Sequence, residues 1–317
     1  MKVLVTGGAG FIGSTLVDRL LAEDHQVDVV DDLSSGNLGN LADARSAGGQ
    51  FNFHQIDIRH AEVSELIERR KPDVVVHLAA QADVRVSVQN PVLDASINII
   101  GALNVLEGAR RAGSSKVLFA SSGGTIYGEP EASALPINEG HSRHPVSPYG
   151  VSKKAFTDYL HAYRELYQLE YTSLALANVY GPRQDPHGEA GVVSIFAGKL
   201  LDGEQCVIFG TGEQTRDFVF VDDVVDAFVR AMTRGGGLLF NIGTGVEITV
   251  NELYTSMAKA AGVAAPAEHA PARVGELDRI ALDAGRAKIH LGWEAWTSID
   301  DGTKAVIDWA ATGRTSA

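Results

Sequence analysis

Short apolar runs alternate with longer amphipathic stretches through the first half of the chain. Residues 2–6, 27–30, 74–78 and 116–120 are short runs rich in Val, Ile, Leu and Phe, which predicts strands buried on both faces, and residues 51–56 read as a further strand. Residues 11–22 place Phe11, Ile12, Leu16, Leu20 and Leu21 on one side of a helix. Residues 61–70, 91–111 and 148–166 predict further helices between or after the strands. Strands that alternate with helices make βαβ units and a parallel sheet covered on both faces. Right-handed crossovers then give an α/β, doubly wound (Rossmann-type) layer structure.

The texture changes near residue 178. Gly181-Pro182, Asp185-Pro186, Gly210, Gly212 and the glycine run at 235–237 break the pattern, and Pro266, Pro271 and Gly275 mark another loop-rich stretch. The expectation is a first domain over 1–177 and a smaller, more irregular mixed α/β domain over 178–317. A segment around 217–243 is expected to return to the main sheet.

The first turn carries the clearest chemistry. Gly7, Gly10 and Gly13 are spaced G-x-x-G-x-x-G, directly after a strand and at the opening of a helix. Gly7 suits a tight turn, Gly10 lets backbone approach a pyrophosphate, and Gly13 lets the helix pack closely on the sheet. A diphosphate then meets free N–H groups and the positive end of the helix dipole. Asp31 ends the second strand, 18 residues after Gly13, where a carboxylate accepts the hydroxyls of an adenosine ribose. Asp31 and Asp32 would repel a 2′-phosphate, and Leu33, Ser34, Ser35 and Gly36 supply no arginine to offset this. The implied cofactor is NAD rather than NADP.

Composition narrows the partners. Lys plus Arg number 27 against 40 Asp plus Glu, a formal charge of −13, so the basic footprint of a nucleic-acid binder is missing and anionic membranes are disfavoured. No unbroken run of 18 apolar residues occurs, and no secretory leader is evident at the N-terminus. Cys206 is the single cysteine, which excludes an intramolecular disulfide and suits a cytoplasmic setting. His141 and His144 have no third ligand nearby, so no metal is expected; His187 reads as a surface residue on a substrate-side loop.

Tyr149 and Lys153 lie four apart in a predicted helix and share one face. A free phenol has a pKa of ~10, so bringing it to ~7 requires roughly 4 kcal/mol. An exposed ion pair supplies less than ~1 kcal/mol. The pair is therefore a catalytic acid–base only inside a desolvated pocket that also holds the cofactor.

Several motifs in sequence now carry a resemblance. Gly7-Gly8-Ala9-Gly10-Phe11-Ile12-Gly13, Asp57-Ile58, His77-Leu78-Ala79-Ala80, Ser121-Ser122-Gly123-Gly124-Thr125-Ile126-Tyr127-Gly128 and Tyr149-Gly150-Val151-Ser152-Lys153 occur in that order. Asn178-Val179-Tyr180-Gly181-Pro182-Arg183 and Arg216-Asp217-Phe218-Val219-Phe220-Val221-Asp222-Asp223 follow. Over nearly its whole length the chain resembles the extended short-chain dehydrogenase/reductase family. Within it the likeness is strongest to the bacterial UDP-glucose 4-epimerases.

The resemblance implies an isomerase of galactose metabolism that interconverts UDP-galactose and UDP-glucose through a transient 4-keto sugar. It also implies roles. Phe11 and Ile12 would cover the pyrophosphate through backbone amides, Asp57 and Ile58 would contact adenine, and Leu78, Ala79, Ala80 and Gln81 would line the dinucleotide, with Asn98 supporting from its helix. Tyr149 would be the proton acceptor and donor, and Lys153 would hold the nicotinamide ribose. On the substrate side, Asn178 and Arg216 would grip the diphosphate. Arg273 and Glu276 would contact the diphosphate and uridine ribose. Val207 to Phe209 would receive uracil, with Val192 among the same residues. Ile280 would tune admission of N-acetylated hexoses and, being of intermediate size, favours the plain hexose. Members are usually homodimers that pack the helices at 91–111 and 148–166.

One position departs from the family. Where many relatives carry Ser or Thr, this chain has Gly123, so Ser122, or failing it Thr125, takes the implied hydrogen bond to the sugar O4, or else Tyr149 acts with less help. Dehydratases and decarboxylating relatives place a carboxylate at the positions held here by Gly124-Thr125. The alternatives that stay open are an epimerase of UDP-N-acetylhexosamine or UDP-uronate, a net oxidoreductase of a nucleotide-linked keto sugar, and a dinucleotide-binding protein without turnover.

Overall fold

The structure, a computed structural model, describes residues 1–186, 191–272 and 278–315. Its strands are β1 Lys2–Thr6, β2 Gln26–Asp31, β3 Phe51–Gln55, β4 Val74–His77, β5 Lys116–Ser122 and β6 Glu170–Leu176. Six short strands and one longer one complete the set: β7 Asn178–Tyr180, β8 Val207–Phe209, β9 Thr215–Arg216, β10 Phe218–Phe220, β11 Leu238–Ile242, β12 Ile248–Thr249 and β13 Glu268–Ala270.

Seven parallel strands form one sheet in the order β11-β6-β5-β4-β1-β2-β3. The unbroken apolar runs are explained by double-sided burial. Val3, Val5, Val74 and Val76 face one core, while Leu4 and Val75 face the other. Strand order reverses between β1 and β4, and ligands of such sheets bind beyond the strand C-termini at that reversal. Strand β11, distant in sequence, completes the sheet by pairing with β6.

The second half is more regular than its glycines suggest. Helices occupy Val192–Asp202, Val221–Ala231, Val250–Ala261, Gly285–Leu291 and Ile299–Thr315. Gly203, Gly262 and Gly292 are left-handed C-caps with φ of 68°, 69° and 66°, so these glycines terminate helices. The three strand pairs β7/β10, β9/β12 and β8/β13 are too short to show a period in sequence.

The expected helix at 91–111 is real but not uniform. It starts at Pro91 behind Asn90, whose side chain accepts from the Leu93 amide, and it contains a π-turn at Ser96–Gly101. Pro91–Ala112 is long and apolar enough to cross a membrane by length and composition. Here its Ala102, Val105, Leu106 and Ala109 stripe instead packs into the same core as Val75 and Val117.

Candidate active site

One cavity of ≈ 1370 Å³ runs along the C-terminal ends of the sheet strands. Its volume exceeds the ~300–1,000 Å³ of a typical small-molecule site, as a cofactor and a second nucleotide end to end require.

The glycine turn builds one end of the cavity. The helix Phe11–Ala22 opens with Gly10 as N-cap and has no acidic residue in its first turn, so its free N–H groups face the cavity without a competing anion. Gly13 is required by close approach: a Cβ there would lie 2.1 Å from the Gly7 carbonyl oxygen. Asp31 is buried at the end of β2. Its Oδ2 accepts from the Ala9 amide at 2.9 Å and its Oδ1 from the Leu33 amide at 2.9 Å. Burial pushes this carboxyl above its ordinary value, and the two amide bonds oppose that rise. The carboxylate thus ties the glycine turn to the loop after β2, and each oxygen keeps a further lone pair. Asp32, Leu33, Ser34, Ser35 and Gly36 line the same wall. Farther along are Asp57, held below its ordinary value by Arg59, and Ile58.

Leu78, Ala79, Ala80 and Gln81 line the cavity after β4. Asn98 does not; its Oδ1 accepts from the Gln81 amide at 3.0 Å and its Nδ2 donates to the Gln81 carbonyl at 2.8 Å.

The chemistry-bearing pair lies on the helix Pro148–Tyr167, started by Pro148 and by Ser147, whose hydroxyl accepts from the Gly150 amide at 3.2 Å. Tyr149 and Lys153 both face the cavity. Lys153 is buried; its Nζ donates to the Ala120 carbonyl at 3.0 Å and lies 5.5 Å from the Tyr149 ring centroid and 4.8 Å from that of Phe119. Beneath it, His77 stacks on Phe119 and is within 2.7 Å of the Thr6 hydroxyl. Burial, and secondarily the Lys153 charge, push His77 down to about 3, so it adds no second cation.

That shift makes a stability prediction. The folded value lies below the unfolded value of 6.5, so the contribution is present above pH 6.5 and is lost as pH falls towards 3. At ~1.4 kcal/mol per unit, the full loss is on the order of 5 kcal/mol. His77→Asn is expected to flatten the acid limb of stability against pH, measured by urea unfolding across this window; an unchanged limb would refute the assignment.

At the end of β5, Ser122 precedes the short turn Gly123–Ile126 without a side-chain capping bond, and Ser122 and Thr125 line the cavity but Gly123 does not. Gly123 is sealed from it: a Cβ would lie 2.2 Å from Leu282 Cδ1 and 3.2 Å from the carbonyls of Ala175 and Leu176. The departure from the family pattern is thus a packing fact. Gly123→Ser is expected to cost ~1–3 kcal/mol through overpacking and to give no gain in kcat. Thermal melting and a rate assay check this; a stable, faster variant would contradict it. The hydroxyls of Ser121 and Thr125 are buried with no protein hydrogen-bond partner.

Asn178, Val192, Val207, Phe209, Arg216 and Ile280 line the other end of the cavity. Arg216 donates to the Thr215 carbonyl at 2.7 Å. Arg273, Glu276 and His187 lie outside the described residues. Among the described residues no cluster of three or more His, Cys, Asp or Glu could hold a metal ion.

The profile of the NAD dependent epimerase/dehydratase family matches residues 3–243. The chain belongs to this family. The UDP-glucose 4-epimerase of Mycolicibacterium smegmatis is 50% identical over 310 residues, covering 98% of each chain. A crystal structure of the Thermotoga maritima UDP-glucose 4-epimerase with UDP-glucose superposes with a TM-score of 0.95 at 44% identity, covering 99% of this chain and 100% of that one. The Thermus thermophilus UDP-glucose 4-epimerase in complex with NAD gives 0.90 at 41% identity, covering 98% and 99%. Other relatives in the family differ in activity, including a dTDP-glucose 4,6-dehydratase from Salmonella typhimurium at 32% identity. This epimerase/dehydratase chain lacks a carboxylate at 124–125.

Sequence reasoning missed Asp94, which belongs to no short motif, the role of Ser152 within its motif, and the Asn37 and Asn40 contacts to the Ala9 carbonyl.

Proposed function

We propose that the protein is an NAD-dependent nucleotide-sugar 4-epimerase that interconverts UDP-galactose and UDP-glucose through a transient 4-keto sugar. One observation carries this reading: Tyr149 and Lys153 share a single cavity with the glycine turn and Asp31, and Gly124 and Thr125, with no carboxyl group, stand where a dehydratase keeps its extra acid.

The residues fit NAD. The helix terminus at Gly10 offers free amides for a diphosphate, and Asp31 suits an unphosphorylated ribose. Lys153 would hold the nicotinamide ribose. When bound, NAD supplies the hydride acceptor and donor for C4 and a positive ring beside the phenol.

The chain's own groups handle the proton. Tyr149 Oη takes the proton of the sugar 4-hydroxyl and later returns it. Buried Lys153, 5.5 Å from the Tyr149 ring centroid, favours the phenolate, because an opposite charge in a desolvated site stabilises the ionised form. Ser122 and Thr125 flank O4; Thr125 Oγ1 has no protein partner, so a bond to the sugar displaces none. Asn178 and Arg216, joined by Arg273 and Glu276, grip the diphosphate and uridine ribose, and Val192, Val207 and Phe209 receive the uracil end. Ile280, buried beside Ile126 and Leu282, limits bulk near the sugar and favours the plain hexose.

Residues 1–177, with the return segment around 217–243, form the cofactor domain in this reading, and 178–317 mainly the substrate domain. A cytoplasmic homodimer is the working state. Val88, Val92, Ile100, Val146 and Val151 are exposed apolar residues on or beside the two helices expected to pair.

A net oxidoreductase would accumulate or consume reduced dinucleotide in proportion to sugar. The epimerase reading expects UDP-galactose turnover with no net change in reduced-nicotinamide absorbance. Stoichiometric change would overturn it.

A further inference from the structure

We infer that Asp94 is a positioning residue that locks the cofactor-side loop to the catalytic helix, an inference that rests on the epimerase reading for its rate readout. Asp94 is fully buried in the helix Pro91–Ala112. A carboxylate only accepts hydrogen bonds, and three neutral donors converge on this one. Oδ1 receives Gln81 Nε2 at 3.2 Å and Asn98 Nδ2 at 2.9 Å. Oδ2 receives the Ser152 hydroxyl at 2.6 Å. Among the described residues it forms no ion pair. A buried charge held only by neutral donors is costly unless its geometry is used for something.

Its partners show the use. Gln81 lines the cavity, and all its polar groups are engaged. Its amide and carbonyl bond Asn98, and its side-chain amide donates to the Asp83 carbonyl at 3.0 Å and accepts from the Asp83 amide at 2.7 Å. Ser152 sits beside Lys153 on the helix that carries Tyr149. One carboxylate therefore fixes the spacing between the loop at 78–81 and the first turns of the catalytic helix. The π-turn at Ser96–Gly101 belongs to the same arrangement: it holds Asn98, four residues beyond Asp94, in the contact with Gln81. Such turns are rare and recur at functional sites. Displacing catalytic groups by about 1 Å can cost ~10²-fold in rate.

The test compares Asp94→Ala, Asp94→Asn and Ser152→Ala in the full-length NAD-loaded protein, at a temperature where each is folded. Asp94→Ala frees both sides and is expected to lower kcat by ~10²-fold and weaken NAD binding, with KM for UDP-hexose nearly unchanged. Ser152→Ala releases only the helix and is expected to lower kcat by ~10-fold with NAD affinity retained. Asp94→Asn keeps the shape, because the Ser152 hydroxyl can turn to accept from the new amide, so it is expected to restore most of kcat. Two results would overturn the inference. One is a lowered melting temperature with unchanged kcat per folded molecule in both Asp94→Ala and Ser152→Ala. The other is Asp94→Asn failing as badly as Asp94→Ala, with a displaced pH profile, which would make the charge rather than the tether the active feature. NAD affinity is read by titration without sugar, so the loop half of the inference stands or falls even if the wild-type protein turns over no UDP-hexose. Ser152→Ala keeps the inference falsifiable if Asp94→Ala does not fold.

Discussion

Tyr149→Phe is expected to lower kcat for UDP-hexose interconversion by about 10³-fold, within the ~10²–10⁴ range for a positioned acid–base group. Only the hydroxyl is lost. The ring stays on the helix Pro148–Tyr167, and the Lys153 contacts with Ala120 and Phe119 are untouched. NAD content and melting temperature should therefore match the wild type, and KM should change little. The measurement is initial rate against UDP-galactose beside NAD content of the purified protein. Retention of more than a tenth of kcat would remove Tyr149 from the proton transfer.

Gly13→Ala is expected to abolish dinucleotide binding. The new Cβ would meet the Gly7 carbonyl oxygen at 2.1 Å and Gly8 Cα at 2.8 Å, both backbone atoms that cannot swing aside. Relief requires the turn to open or the helix Phe11–Ala22 to lift from the sheet. Either moves the helix N-terminus away from its anion position, and stability should fall by at least ~2 kcal/mol. Loss of co-purifying NAD, with a lowered melting temperature, is the readout. A variant that binds NAD normally would show that the turn does not set the cofactor position.

Legibility in the sequence followed the length over which a signal repeats. β1, β2, β4 and β5 were readable because buried parallel strands leave little polar face, whereas β6 at Glu170–Leu176 was not picked out; Gly7, Gly10, Gly13 and Asp31 were readable because their spacing is a demand of backbone geometry. The C-terminal half was under-read: Gly203, Gly262 and Gly292 are helix caps whose signal went unused, and strands of two or three residues have no period. Tyr149 and Lys153 needed only helical spacing, whereas their burial came from Phe119, Ala120 and His77 on other strands. Gly123 was visible as a departure, but its cause, Leu282 pressed against it from a distant segment, was not. The contact between Asp94 and Ser152 was invisible for the same reason: 58 residues separate them, and neither is an unusual residue for its helix.

The most direct test of the central claim is to mix the purified protein with UDP-galactose, without added cofactor, and follow the anomeric protons by NMR. Appearance of UDP-glucose up to an equilibrium mixture, with no reduced dinucleotide released, is the predicted result. No conversion, even when NAD is supplied, would contradict the assignment of this cavity to UDP-galactose and UDP-glucose.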